Sequence, residues 1–126
     1  MKITQLDHLV LTVQDIDVTC EFYHSVLGME IITFSEGRKA LKFGNQKFNL
    51  HQAENEFEPK ANNPLAGAID LCLISETPLE SIIKELKLHN ISIEEGPIER
   101  TGATGIINSV YIRDPDKNLI EISNYV

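Results

Sequence analysis

Four side chains that could bind a metal or move a proton lie in stretches of alternating hydrophobicity. They are His8 in LDHLVLTV (6–13), His51 in KFNLHQ, Asp70 in AIDLCLIS (68–75) and Glu121 in NLIEISNY. Each has an ordinary structural explanation when taken singly. His8 could be a hydrogen-bonded core histidine, His51 a strand-end residue, Asp70 a turn cap and Glu121 a sheet-edge carboxylate. Together they point to a divalent cation, because unpaired buried carboxylates are costly and a cation makes two of them plus imidazole stable. Imidazole with carboxylate suits Zn, Ni, Fe or Mn, and Asp70 and Glu121 are also candidates for general acid–base work.

The elements that must position these groups follow from the periodicity. In LDHLVLTV, Leu9, Leu11 and Val13 share one face and His8, Val10 and Thr12 the other. The same alternation sets Asp70, Cys72 and Ile74 opposite Leu71 and Leu73, Asn49 and His51 opposite Phe48 and Leu50, and Glu121 and Ser123 opposite Ile120 and Ile122. QDIDVTCEFYHSVLG has helical spacing with Asp15 as a cap and Gly28 as a stop, and MEIITFS, RKALKFG and QKFNLHQA read as three antiparallel strands. After the polar stretch 53–67 the order returns. AIDLCLIS is a strand, TPLESIIKELKLHN a helix with a Thr77–Glu80 capping box, and ISIEEGP, INSVYIRD and NLIEISNY further strands. The expected fold is therefore α+β. One domain spanning 1–126 would contain two βαβββ repeats, 1–52 and 68–126, joined by linker 53–67. The repeats would pair as a curved mixed sheet around a metal-binding cleft that His8, His51, Asp70 and Glu121 face.

Composition narrows the function. A chain of 126 residues with 42% hydrophobic content suffices for one core. A formal charge of -8 disfavours nucleic acid as a partner. MKITQLDH lacks the apolar core of a signal peptide, and no window approaches the roughly 20 apolar residues of a membrane span, so the expectation is a cytoplasmic protein without a membrane partner. Cys20 and Cys72 have no CxxC spacing and read as small buried side chains. PIERTGATGI and EFEPKANNPLAG read as surface loops that could grip a substrate, with Arg100 the nearby arginine able to hold an anion.

Three stretches carry a resemblance: LDHLVLTVQDIDVTCEFYHSVLGME, the repeat strand AIDLCLI, and YIRDPDKNLIEISNY. The chain resembles the vicinal oxygen chelate superfamily, which groups glyoxalases, bleomycin-resistance proteins and extradiol dioxygenases. Within it the chain is most similar to the small single-domain proteins called glyoxalase domain-containing protein 5. The resemblance implies paired βαβββ units, a divalent metal in the cleft, a homodimer and a small-molecule substrate. It places ligands at His8, at Asn49 or His51, at Asp70 and at Glu121. Setting FNL on IEI favours Asn49 by register, whereas His51 is the better ligand by chemistry. Asp70 stands where the family commonly has histidine, which departs both from ordinary glyoxalase I and from a 2-His-1-carboxylate dioxygenase. The implied activity is a metal-dependent, glyoxalase-type reaction on a small oxygenated molecule. The alternatives are an extradiol-dioxygenase-like enzyme and a metal-free drug-binding protein.

Overall fold

The structure, a computed structural model, describes residues 1–126 and divides into two compact units, Met1–Gly67 and Ala68–Val126. The first unit runs β1 (His8–Val13), α1 (Ile16–Ser25), β2 (Glu30–Phe34), β3 (Arg38–Phe43) and β4 (Gln46–Gln52). The second repeats the order with β5 (Asp70–Ile74), α2 (Leu79–Leu88), β6 (Glu95–Thr101), β7 (Ile106–Arg113) and β8 (Leu119–Tyr125). The class is α+β. Hydrogen bonds define two four-stranded mixed sheets, ordered β1-β4-β3-β2 and β5-β8-β7-β6, so the two units share one topology.

Within each sheet the first and last strands run parallel while the other neighbours are antiparallel. Alternation then gives each sheet one face for a helix. In the first unit Leu11, Val13, Phe48 and Leu50 are buried with Tyr23 of α1, whose ring meets Phe48 edge-on at 5.9 Å. In the second, Val110, Ile112, Ile120 and Ile122 are buried along with Ile82 and Leu86 of α2, which packs on β7. The opposite face of each sheet carries the polar side chains.

The helix starts are held differently from one another. Asp15 caps α1 by accepting from the Val18 N–H at 3.1 Å, and Gly28, at φ +69°, turns the chain after it. The Thr77–Glu80 capping box expected for α2 does not form, and Pro78 stands at its N-cap. Asn124 of β8 supplies the acceptor instead, taking the Leu79 N–H at 2.7 Å while its amide donates to the Ser75 and Thr77 carbonyls, each at 2.9 Å. Gln52 at the end of β4 does the corresponding work in the first unit. It donates to the Val13 and Gln14 carbonyls at 3.4 and 2.6 Å and accepts from Ile16 N–H at 3.4 Å.

The DPDKN turn before β8 is another such tie. Asp114 accepts from Asp116 N–H, Asn118 N–H and the Asn118 amide, and Asn118 in turn accepts from Ile69 N–H at 2.8 Å. Asp114 and Asn118 are 4% and 1% exposed, so this network is a structural part of the fold that sets β5 against β8.

Two further expectations need correction. The strand placed on ISIEEGP begins later, at Glu95, and runs through PIER to Thr101, so Arg100 sits on a strand. Gly96 explains how a Gly-Pro pair fits there: its φ is +112°, a register shift separates Glu95 from Ile98, and a Cβ at this position would lie 2.4 Å from the Ser109 carbonyl oxygen. Cys20 is buried as expected, but Cys72 is exposed on the open face of β5. No helix is long and apolar enough to cross a membrane.

Asn124→Ala removes a long-range cap and two carbonyl partners. We expect a loss of about 1–2 kcal/mol in urea unfolding with the m-value unchanged. Thr77→Ala should cost less than about 0.5 kcal/mol, because its hydroxyl caps nothing. The reverse order would mean that the local box forms in solution.

Candidate functional site

The open face of the second sheet gathers the densest polar chemistry. Register places Cys72 beside Glu121 and Ile74 beside Ser123, and sets Ser109 across from Ser123 and Tyr111 across from Glu121. The Ser109 hydroxyl donates to Glu121 Oε2 at 2.6 Å and the Ser123 hydroxyl to the same oxygen at 3.3 Å. Ser123 also lies 2.7 Å from the Ser109 hydroxyl and 3.3 Å from Cys72 Sγ. Glu121 is thus a carboxylate aimed by two nearly inaccessible hydroxyls.

Beside it, Arg100 Nε donates to the Tyr111 hydroxyl at 3.0 Å, with Glu95 3.5 Å from the guanidinium. Burial first, and then the Glu121 carboxylate, push the Tyr111 phenol above its ordinary value. Cys72 is raised too, chiefly because its sulfur is partly desolvated although the residue is exposed, and further by the Glu121 charge, so its thiol stays protonated at neutral pH. A cavity of about 340 Å³ opens here, lined among others by Cys72, Ile74, Arg100, Ile107, Glu121 and Tyr125. That volume lies at the small end of the range for small-molecule sites. One carboxylate, one guanidinium and an apolar wall face the same space.

Asp70 begins β5 on this same face, exposed, two residues along the strand from the level of Glu121. Its charge contributes to holding Arg113 protonated, although that arginine is paired mainly with Glu94 at 2.9 Å. Asp70 and Glu121 therefore share a face without being direct neighbours.

In the first unit His8 begins β1, exposed, with Nδ1 2.7 Å from Asp7 Oδ1. His51 lies level with Thr12, four residues further along, or about 13 Å at strand spacing. Asn49 is level with Val10, as Glu121 is with Cys72, so register makes Asn49 the counterpart of Glu121. The two histidines are not brought together. His51 is 3% exposed, its Nε2 lies 3.4 Å from the Arg38 guanidinium, and its ring meets Phe57 edge-on at 5.5 Å. Burial and then the Arg38 charge hold its pKa below the ordinary value, so the ring is neutral.

Neither unit alone gathers three His, Cys, Asp or Glu side chains able to hold a metal ion. Two of the donors nevertheless have the surroundings that a ligand needs. Metal-binding histidines commonly give one ring nitrogen to a carboxylate and the other to the metal, and the Asp7 contact leaves His8 Nε2 available in that way. Glu121 is likewise oriented by its serine partners. His51 is set differently, with one nitrogen against a fixed positive charge.

Arg38, Phe57, Ser109, Tyr111 and Tyr125 were not singled out from the sequence. For Ser109 and Tyr111 a signal was present, since alternation in INSVYIRD puts both on the face opposite Val110 and Ile112. Phe57 sits in a polar stretch whose folding over β4 no periodicity announces.

This fold and this arrangement of open sheet faces define a glyoxalase-like protein. The family model of the Glyoxalase/Bleomycin resistance protein/Dioxygenase superfamily matches residues 5–122, and the chain belongs to that family. It is similar to virulence protein STM3117 of Salmonella typhimurium, with 60% identity over all of this chain and 88% of that protein. The crystal structure of STM3117 superposes with a TM-score of 0.99, covering 100% of both chains. A second relative is glyoxalase domain-containing protein RDO1 of Mycosarcoma maydis, 51% identical over 99% of this chain and 70% of that one. The integron cassette protein VCH_CASS1 of V. cholerae, 56% identical, has a TM-score of 0.98 with 100% of this chain and 98% of the other covered.

Two measurements probe these environments. In a Cys20→Ser background, Glu121→Gln removes a negative charge beside Cys72 and should lower its pKa, so alkylation by iodoacetamide at mildly alkaline pH should accelerate. An unchanged or slower rate would show that the carboxylate does not reach the thiol. For His51 the folded pKa lies below the unfolded one, so the unfolded state binds more protons as pH falls through the ordinary histidine range near 6.5. Stability should decline over that window and below it down to the folded pKa, and His51→Gln should flatten the decline.

Proposed function

We propose that this protein acts on a small oxygenated molecule at the open face of its second unit, as a divalent-metal-dependent enzyme of glyoxalase type, lyase or isomerase. The observation that carries the reading is the cavity in which Glu121, aimed by Ser109 and Ser123, and Arg100, held by Tyr111, face one volume. Arg100 holds an anionic or strongly polar oxygen of the substrate, Glu121 takes or returns a proton or serves as a metal donor, and Ile74 and Ile107 exclude water. Asp70 and Glu121 are the proposed metal donors on the open face of the second unit, with Asp70 alternatively a general base, and His8 is the proposed donor on the open face of the first. His51 is the weaker candidate because a cation at its Nε2 would meet the Arg38 charge. A divalent ion, Zn, Ni, Fe or Mn, would act as a Lewis acid towards charge developing on adjacent substrate oxygens.

A dioxygenase reading is less well supported, since a 2-His-1-carboxylate site would need histidine where Asp70 stands. A metal-free binding protein is the second reading. One observation favours it: Glu121 Oε2 accepts from two serine hydroxyls, which satisfies that oxygen within the sheet itself. The active form is proposed to be a cytoplasmic homodimer, which sedimentation would disprove by showing monomer at every accessible concentration.

Elemental analysis of purified protein, followed by metal titration of His8→Ala and Glu121→Gln, separates the two readings. We expect metal affinity to fall roughly ten- to a hundredfold in each variant, with the thermal midpoint near that of the parent. Undiminished metal content in both variants would remove the enzyme reading and leave the binding one. A screen with thiohemiacetals, catechols and thiol–acceptor pairs then identifies the reaction.

A further inference from the structure

The first unit carries an unsatisfied polar cluster of its own, on the open face of β3 and β4. Arg38 and Asn49 have buried polar atoms, Nε and Oδ1, with no hydrogen-bond partner, and so does His51 at Nδ1. Asn49 and His51 are 8% and 3% exposed. Asn49 and His51 alternate on one face of β4, and Ala40, which lies directly across from Asn49 on β3, is two residues after Arg38 and on the same face as it.

The protonation pattern of the cluster follows from chemistry. A guanidinium has donors only, so the Arg38–His51 contact makes Nε2 the acceptor. With Nε2 accepting, the ring's proton is on Nδ1, a buried donor that meets nothing. Arg38 Nε is a second free donor, and Asn49 Oδ1 a free acceptor. Arg38 forms no ion pair with any carboxylate. Its guanidinium carbon lies 4.2 Å from the centroid of the Phe57 ring and 5.3 Å from that of Phe34, which fixes the group and leaves its edges for hydrogen bonding. Buried donors and acceptors are rarely left unmatched, and a fixed, unpaired guanidinium next to a neutral N–H donor is a receptor for an oxyanion.

We propose that Arg38, His51 and Asn49 form a binding site for a small carboxylic acid that bears a hydroxyl beside its carboxylate. The carboxylate oxygens accept from Arg38 Nε and His51 Nδ1, and the hydroxyl donates to Asn49 Oδ1. Phe57, 46% exposed and packed on both Arg38 and His51, is the ring that covers the site and must shift for entry. This site lies wholly within Met1–Gly67 and is independent of the metal reading of Glu121.

The test is nitrogen-15 NMR of the histidine rings in the full chain, with lactate, propionate and inorganic phosphate as probes at matched ionic strength. In the free protein His51 should show the Nδ1–H tautomer. Lactate should shift the His51 signals saturably, propionate should bind about tenfold more weakly for want of the hydroxyl, and Arg38→Gln should weaken lactate roughly tenfold or more. Arg38→Lys keeps the charge without the fork and controls for folding, as does the amide spectrum of each variant. Glu121→Gln should leave the lactate response intact, even if it abolishes metal binding. An Nε2–H tautomer, a ring that responds to no probe because a water alone satisfies it, equal binding of lactate and propionate, or a response that survives Arg38→Gln would each overturn the assignment.

Discussion

In each unit a single carboxamide at the end of the last strand joins three elements that are distant in sequence. Gln52 ties β4 to the end of β1 and the start of α1, and Asn124 ties β8 to the end of β5 and the start of α2. The parallel pairing of first and last strands depends on such ties, because parallel neighbours have no hairpin to set their register. Register in turn decides which side chains share the open face. With Val10 level with Asn49 and Cys72 level with Glu121, a slip of one residue would turn every polar group inward against the helix and every core residue outward.

On this shared scaffold the two open faces have diverged in charge. Where the second unit has Glu121, Ser123 and Ser109, the first has Asn49, His51 and Arg38, so one floor is an oriented carboxylate and the other a guanidinium beside neutral imidazole. The internal repeat preserves geometry while the chemistry at equivalent positions differs. That is how one 126-residue chain can present two unlike polar surfaces without two unlike folds.

Much of this was legible in the sequence because period-two alternation is a local signal. It correctly separated Leu11 and Leu50 from Thr12 and His51, and Ile120 and Ile122 from Glu121 and Ser123, and the alignment of FNL with IEI marked Asn49 as the partner of Glu121. What it could not convey was non-local. The Thr77 box lost to Asn124 because a residue 45 positions away offered the better acceptor. Glycine and proline at 96 and 97 looked like a strand end, whereas close passage of the Ser109 carbonyl makes that glycine necessary inside one. Phe57 was hidden in a polar stretch, and with it the setting of His51 changed from an open ligand to an enclosed, neutral ring.

The DPDKN turn has an implication for the order in which the second unit assembles. Asn118 reaches back 49 residues to the Ile69 amide, and Asn124 reaches back to α2, so neither β5 nor the start of α2 acquires its stabilising partners until the final strand is available. A helix of ten residues is marginal alone. During synthesis, therefore, the second unit should gain little durable structure piecemeal, and should condense late, as one cooperative event governed by loop closure rather than by local helix formation.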